Sequence, residues 1–174
     1  MNESNWKQAV PPGFPPETRV WVYQSTRPFQ EKELQEITEQ LYQFYAQWMS
    51  HNRPVRGWAG ILFNQMIVVM ADDAADRLCG SAVDHSIRVV KSLERQYGVS
   101  LLDRTMLGFL REEKIELLPM TQLAPALAMG KIDGDTPFFN NAIATRAELE
   151  DRWLIPVKDS WLARRFLSGV SRSI

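Results

Sequence analysis

Over residues 31–51 the apolar positions Leu34, Ile37, Leu41, Phe44, Tyr45 and Trp48 recur at intervals of three and four. That is one stripe of a 3.6-residue period, and it predicts a helix over the whole segment. Glu31, Glu33 and Glu36 crowd its N-terminal half, where the helix dipole favours acid, and Asn52-Arg53-Pro54 ends it. A second stripe, Val83, Ile87, Val90, Leu93 and Tyr97, predicts a helix over about residues 82–97, with Gly98 as its left-handed stop. Runs of β-prone residues predict strands at 19–25, 58–63 and 66–70, the last two joined by a tight Asn64-Gln65 turn. Residues 105–110 and 114–118 form a further hairpin around Arg111-Glu112-Glu113.

The resulting order, β-α-β-β-α-β-β, points to an α+β fold with a ferredoxin-like antiparallel sheet covered on one face by helices. Another α+β sandwich with a different strand order is the alternative. Ahead of it, residues 1–18 carry Pro11, Pro12, Pro15 and Pro16. They read as an extended lead-in, pinned to the domain by Trp6 and Phe14. Residues 19–174 read as one domain, with 121–174 as a C-terminal helical extension. That extension holds a short helix over 122–130, a turn at Asp133-Gly134-Asp135 and a buried Phe138-Phe139 strand. Thr145 and Glu148 form a capping box opening a helix to Trp153, and helical turns follow over 160–166.

The chain has 174 residues, of which 45% are hydrophobic and 24% charged, as in an ordinary single-core domain. Twenty basic and 21 acidic residues leave a net charge of -1, so no global field favours nucleic acid or an anionic membrane. One cysteine cannot form an internal disulfide, which makes a reducing, cytoplasmic compartment the expectation. The first residues lack the apolar core of a signal peptide, and the longest apolar run, residues 66–71, is too short to span a bilayer.

Chemistry is sparse. The sequence has no phosphate-binding loop and no Gly-x-Gly-x-x-Gly fingerprint. His51, His85 and Cys79 are too few for a zinc set, and Asp72, Asp73 and Asp76 lack EF-hand alternation. No cofactor is called for. The concentration of chemistry is Leu78 to Ser86, at a helix start. If Ala82 lies in the first turn, Ser81 caps the helix and Asp84 falls at the reciprocal N3 position, an effect of about 0.5–2 kcal/mol. A ligand reading makes the same turn a site for a small anionic or polar molecule, lined by Gly80, Ser81, Asp84, His85, Ser86 and Arg88. A catalytic reading would need Cys79 or Ser81 to meet His85. Asp103-Arg104 reads as a local ion pair guarding a sheet edge, or as a ligand contact. Trp161 with Arg164 and Arg165 is a weak basic-aromatic signal, better explained by docking of a terminal helix.

These residues carry a resemblance. The stretches Arg19-Val20-Trp21-Val22-Tyr23-Gln24-Ser25 and Gly80-Ser81-Ala82-Val83-Asp84-His85-Ser86 are part of it. So are Asp103-Arg104, Phe139-Asn140-Asn141 with Glu148-Leu149 and Trp153, and Ser160-Trp161. Over most of residues 19–166 the chain resembles a family of short, uncharacterised bacterial proteins often labelled ABC transporter ATPases. Without a phosphate loop that label conflicts with the residues. The family pattern resembles Ser-Gly-Cys-Ser-Ile-Asp-x-Ser. Aligned on Asp84 and Ser86, it puts Ser81 at the family's cysteine and Cys79 at its first serine. Its Ser-Trp-His is Ser160-Trp161-Leu162 here. The loss of that thiol and imidazole counts against thiol catalysis.

The sequence therefore establishes a fold class and a candidate site rather than an activity. The expected function is a non-enzymatic small-ligand-binding or interaction module, open to homodimerisation through a sheet face or edge. The alternative is an enzyme acting on a small anionic or polar metabolite near Ser81, Asp84 and His85.

Overall fold

A computed structural model of the chain describes residues 5–74 and 77–167. In chain order, β1 (Arg19–Gln24) is followed by α1 (Glu31–Ala46) and a small hairpin of β2 (Met49–Ser50) and β3 (Arg53–Pro54). Then come β4 (Arg56–Leu62), β5 (Met66–Asp72), α2 (Gly80–Tyr97), β6 (Met106–Arg111) and β7 (Lys114–Pro119). α3 (Leu123–Ala128), β8 (Pro137–Phe139), α4 (Arg146–Arg152) and β9 (Leu154–Pro156) precede a π-helical turn over Ala163–Leu167. Among the described residues no helix is long and apolar enough to cross a membrane.

The fold is α+β with antiparallel sheets, but the strands divide into two main sheets rather than one. The first has the order β1-β5-β4, the second β7-β6-β8-β9. β5 is central and buried from Met66 to Ala71, because both its faces are covered. Ile67, Val69 and Ala71 face a core shared with Ile37, Leu41 and Phe44 of α1 and Val90 and Leu93 of α2. Met66, Val68 and Met70 face the opposite core with Trp6, Leu110, Phe139, Leu149 and Trp153. A run read as short and apolar is thus a two-faced strand with period 2 intact.

The strands do not form the expected single ferredoxin-like sheet, and the start of β1's outer edge meets residues 144–146. Val20 N–H donates to the Ala144 carbonyl (2.9 Å), and Arg146 N–H donates to the Thr18 carbonyl (2.8 Å). β6 pairs with β7 and β8. The segment expected as an extension supplies β8 and β9 of the second sheet, with prolines at strand ends where a missing donor is tolerated. The lead-in is not wholly extended, since Trp6–Ala9 form a 3-10 helix, and it is held where Trp6 is buried with its ring 4.8 Å edge-on from Trp153 and where Arg56 donates to the Gly13 carbonyl beneath Phe14.

Several predicted ends move. The first helix stops at Ala46 rather than His51. Trp48 keeps the stripe's spacing, but its indole N–H donates to the Ala82 carbonyl (2.9 Å), and residues 49–54 turn back through His51 and Asn52, both at positive φ. The Asn64-Gln65 turn includes Phe63, which ends outside β4 at φ 52. Its ring, 5.1 Å from Phe139, is buried in the second core and holds that unusual backbone. The Thr145–Glu148 capping box and the left-handed Gly98 at φ 61 are as predicted.

Arg27 ties three segments together. Its guanidinium donates to both Glu33 oxygens (2.7 and 2.8 Å) and to the Tyr97 carbonyl. These bonds, with the Gln30 backbone N–H, hold the Glu33 carboxyl at about 2. A depressed acid stabilises the fold above its unfolded value and loses that contribution as pH falls through the folded one. Glu33→Gln is therefore expected to cost about 1 kcal/mol at pH 7, allowing for screening of the exposed guanidinium. Urea denaturation should show the deficit shrinking as pH is lowered from 5 towards 2. A constant deficit across that range would remove Glu33 from the acid response.

Candidate functional site

Val20, Val22 and Gln24 alternate onto the same face of β1, and all three are buried. An amide on a buried face needs partners. The Gln24 side-chain nitrogen donates to the Met106 carbonyl of β6 (3.1 Å). Its oxygen accepts from Asn141 Nδ2 (3.1 Å), and Asn141 Oδ1 accepts from Trp153 Nε1 (2.9 Å). Both ends of this chain are chemically fixed, since an indole N–H only donates and a carbonyl only accepts. Both amides therefore have one permitted orientation. Gly108 leaves room for it: a Cβ there would stand 2.5 Å from the Gln24 oxygen.

Beside this chain lies a cavity of about 160 Å³. Gln24 and Asn141 form its polar wall, with Asp103 and Arg104 contributed by the loop before β6. Val22, Leu107, Phe138 and Phe139 supply much of the apolar wall. Trp161 also lines it, 37% exposed, edge-on to Phe138 at 6.3 Å. Asp103 and Arg104 do not form the expected ion pair. The Asp103 carboxylate accepts the Thr105 hydroxyl (2.6 Å) and backbone N–H (2.8 Å), which keep its carboxyl below the ordinary value. Arg104 donates to the Asn141 carbonyl (3.2 Å) and remains exposed.

The helix start at residues 78–86 is a different place. α2 begins at Gly80, so Cys79 is the N-cap residue and Ser81 is not. The Ser81–Asp84 capping box is absent: the cap carries no side-chain hydrogen bond. Ser81 Oγ sits 3.1 Å from Cys79 Sγ instead. Ser86 is buried and donates to the Val83 carbonyl (2.7 Å), while Gly80, Asp84 and Arg88 are exposed. The His85 ring packs edge-on to Phe44 at 5.3 Å, in a groove between α1 and α2. No hydrogen bond joins it to Ser81 or Cys79 among the described residues. The six predicted ligand residues share a helix, and of them His85 lines the groove against α1.

Cys79 gains partners the sequence did not suggest. Ser50, carried over by the β2–β3 hairpin, donates to its sulfur (3.4 Å) and accepts its backbone N–H (3.0 Å). The Ser50 hydroxyl, the Ser81 hydroxyl and the His51 and Ala82 backbone amides together lower the Cys79 thiol to about 6. Asp72 and Asp73 pair with Arg56 and Arg19, and Asp76 lies outside the described residues. Among the described residues no group of three His, Cys, Asp or Glu side chains could hold a metal ion.

No family model, curated protein or solved structure matches the chain. Sequence reasoning missed the cavity because its residues come from four separated stretches. One signal was present: a glutamine in phase with Val20 and Val22 had to be bonded to something.

Two outcomes are expected. Gly108→Ala should destabilise by about 1–3 kcal/mol through eviction of the Gln24 amide, and much less in a Gln24→Ala background. Additive costs in urea denaturation would sever the link. Alkylation of the chain's one cysteine by iodoacetamide should turn over near pH 6, and Ser50→Ala should move that midpoint upwards. A wild-type midpoint at the ordinary thiol value, about 8.5, would contradict the cradle around the sulfur.

Proposed function

We propose that the protein is a small-ligand-binding module and that its ligand occupies the cavity between the two sheets. The observation that carries this reading is convergence. Gln24, Asp103, Arg104, Asn141 and Trp161, distant in sequence, line one cavity. They are also among the residues on which the resemblance to the bacterial family rests, and membership of that family is part of the proposal. An apolar cavity with a few convergent polar groups is the usual form of a small-molecule site.

Binding is favoured over catalysis by what lines the cavity. Among its lining residues there is no Ser, Cys, His or Lys. Asp103, the one carboxylate there, is held as the anion by Thr105 and is a weak base. At the helix start, His85 stands on Phe44 away from Cys79, and the histidine nearer the thiol is His51, whose Nδ1 lies 3.5 Å from the Ser50 hydroxyl. The antiparallel sheets are read as a divergent relative of the ferredoxin-like arrangement, and the compartment as cytoplasmic.

Titration of the labelled protein with 2-phenylethanol, a neutral ring probe, tests the site. Amide and indole NMR signals of Gln24, Asn141 and Trp161 should shift together, and Ala142→Trp, at an exposed lining position, should abolish the shifts. Shifts confined to residues 80–88 would move the site to the helix start. No saturable shift with this probe or with its charged phenyl analogues would overturn the reading.

A further inference from the structure

We infer that the cavity takes a free α-amino acid with an apolar ring or branched side chain, its ammonium group on Asp103 and its carboxylate on Arg104. The inference deepens the binding proposal above and rests on it. Two features of the lining select this class.

The first is charge. Asp103 and Arg104 are adjacent, both line the cavity, and neither neutralises the other: no ion pair joins them among the described residues. Thr105 engages Oδ1 of Asp103, leaving Oδ2. Arg104 spends one N–H on the Asn141 carbonyl, and a guanidinium has five. A simple anion would gain from Arg104 and be opposed by Asp103, and a simple cation the reverse. A zwitterion with both charged groups on one carbon meets both at once, and charge-assisted hydrogen bonds are the strong ones.

The second is the donor pattern and size of the interior. The Trp153-to-Met106 chain forces both amide nitrogens into donor positions, and each keeps a second N–H. Both amides line the cavity, and any contact their nitrogens make with a ligand is made as donors, as for Arg104. The remaining wall is aliphatic and aromatic, and a cavity of about 160 Å³ is the size that takes up one ring: an apolar cavity of about 150 Å³ accepts benzene. A peptide terminus brings one of the two charges, whereas a free amino acid brings both.

Calorimetric titration with four probes separates the contributions: L-phenylalanine, 3-phenylpropanoate without the ammonium, phenethylamine without the carboxylate, and neutral 2-phenylethanol. L-Phenylalanine should bind about tenfold or more tightly than either singly charged probe. Arg104→Gln should weaken phenylalanine and phenylpropanoate but leave phenethylamine unchanged. Asp103→Asn should weaken phenylalanine and phenethylamine and spare phenylpropanoate. Both residues are exposed, and circular dichroism would confirm that the variants fold. If phenylpropanoate equals or exceeds phenylalanine, or neither variant changes the order of the probes, the amino-acid assignment is overturned while the binding module stands. If none of the four saturates, the binding module itself falls.

Discussion

Gln24 is an amide on a buried face that otherwise carries Val20 and Val22, and the arrangement of the two sheets follows from satisfying it. Its partners lie far away in sequence, with separations of 82 residues to Met106 and 117 to Asn141. Trp153 at the end of α4 closes the other end. Each neutral hydrogen bond contributes only about 0.5–1.5 kcal/mol net, but losing one strands a buried polar atom at about 1–3 kcal/mol. The asymmetry makes the chain a positioning device: alternative placements of the second sheet leave an indole N–H or an amide unpaired. Where β6 would have continued the first sheet, a side chain makes the bond to β6 instead of a backbone ladder.

The same chain explains why the polar wall of the cavity has a direction. A lone buried amide is free to flip, and its oxygen and nitrogen are then interchangeable to a ligand. Here an obligate donor at Trp153 and an obligate acceptor at Met106 remove that freedom from two amides together. Preorganised donors need no reorientation on binding, which lowers the cost of recognition. Gly108 belongs to this device, since a methyl group there would meet the Gln24 oxygen.

Much of the local structure was legible because it is written in periodicity. The two long helices, the 66–70 strand, both hairpins, the Thr145–Glu148 box and the Gly98 stop follow from patterns within about twenty residues. The misread ends share one cause: tertiary contacts that imitate or override local pattern. Trp48 stacks on Phe44 at 4.8 Å with helical spacing although it lies beyond the helix. Phe63 accepts a left-handed backbone for the sake of its ring contacts. Ser81 has the chemistry of a cap, but Cys79 holds the position because the Ser50 hydroxyl fixes its backbone N–H. The cavity was illegible for a stronger reason. Nothing local relates Gln24, Arg104, Asn141 and Trp161, and strand order had to be known before they could be placed together.

The pocket is open to solvent along Asp103, Arg104, Ala142 and Trp161, and the question is why its apolar walls do not close on each other. Here the lining side chains are committed elsewhere. Val22 and Phe139 belong to the core between the sheets, whereas Leu107 and Phe138 belong to the core around α3 and Val157. Moving any of them inwards would empty a site in a filled core, exchanging one cavity for another. The amides cannot close the gap either, because both are held at each end. Trp161 sits at the outer edge, edge-on to Phe138. The cavity is thus the geometric remainder of two cores joined by a polar seam. A pocket maintained by the fold itself, with its donors already aligned, is a more economical place for recognition than a helix start whose side chains diverge.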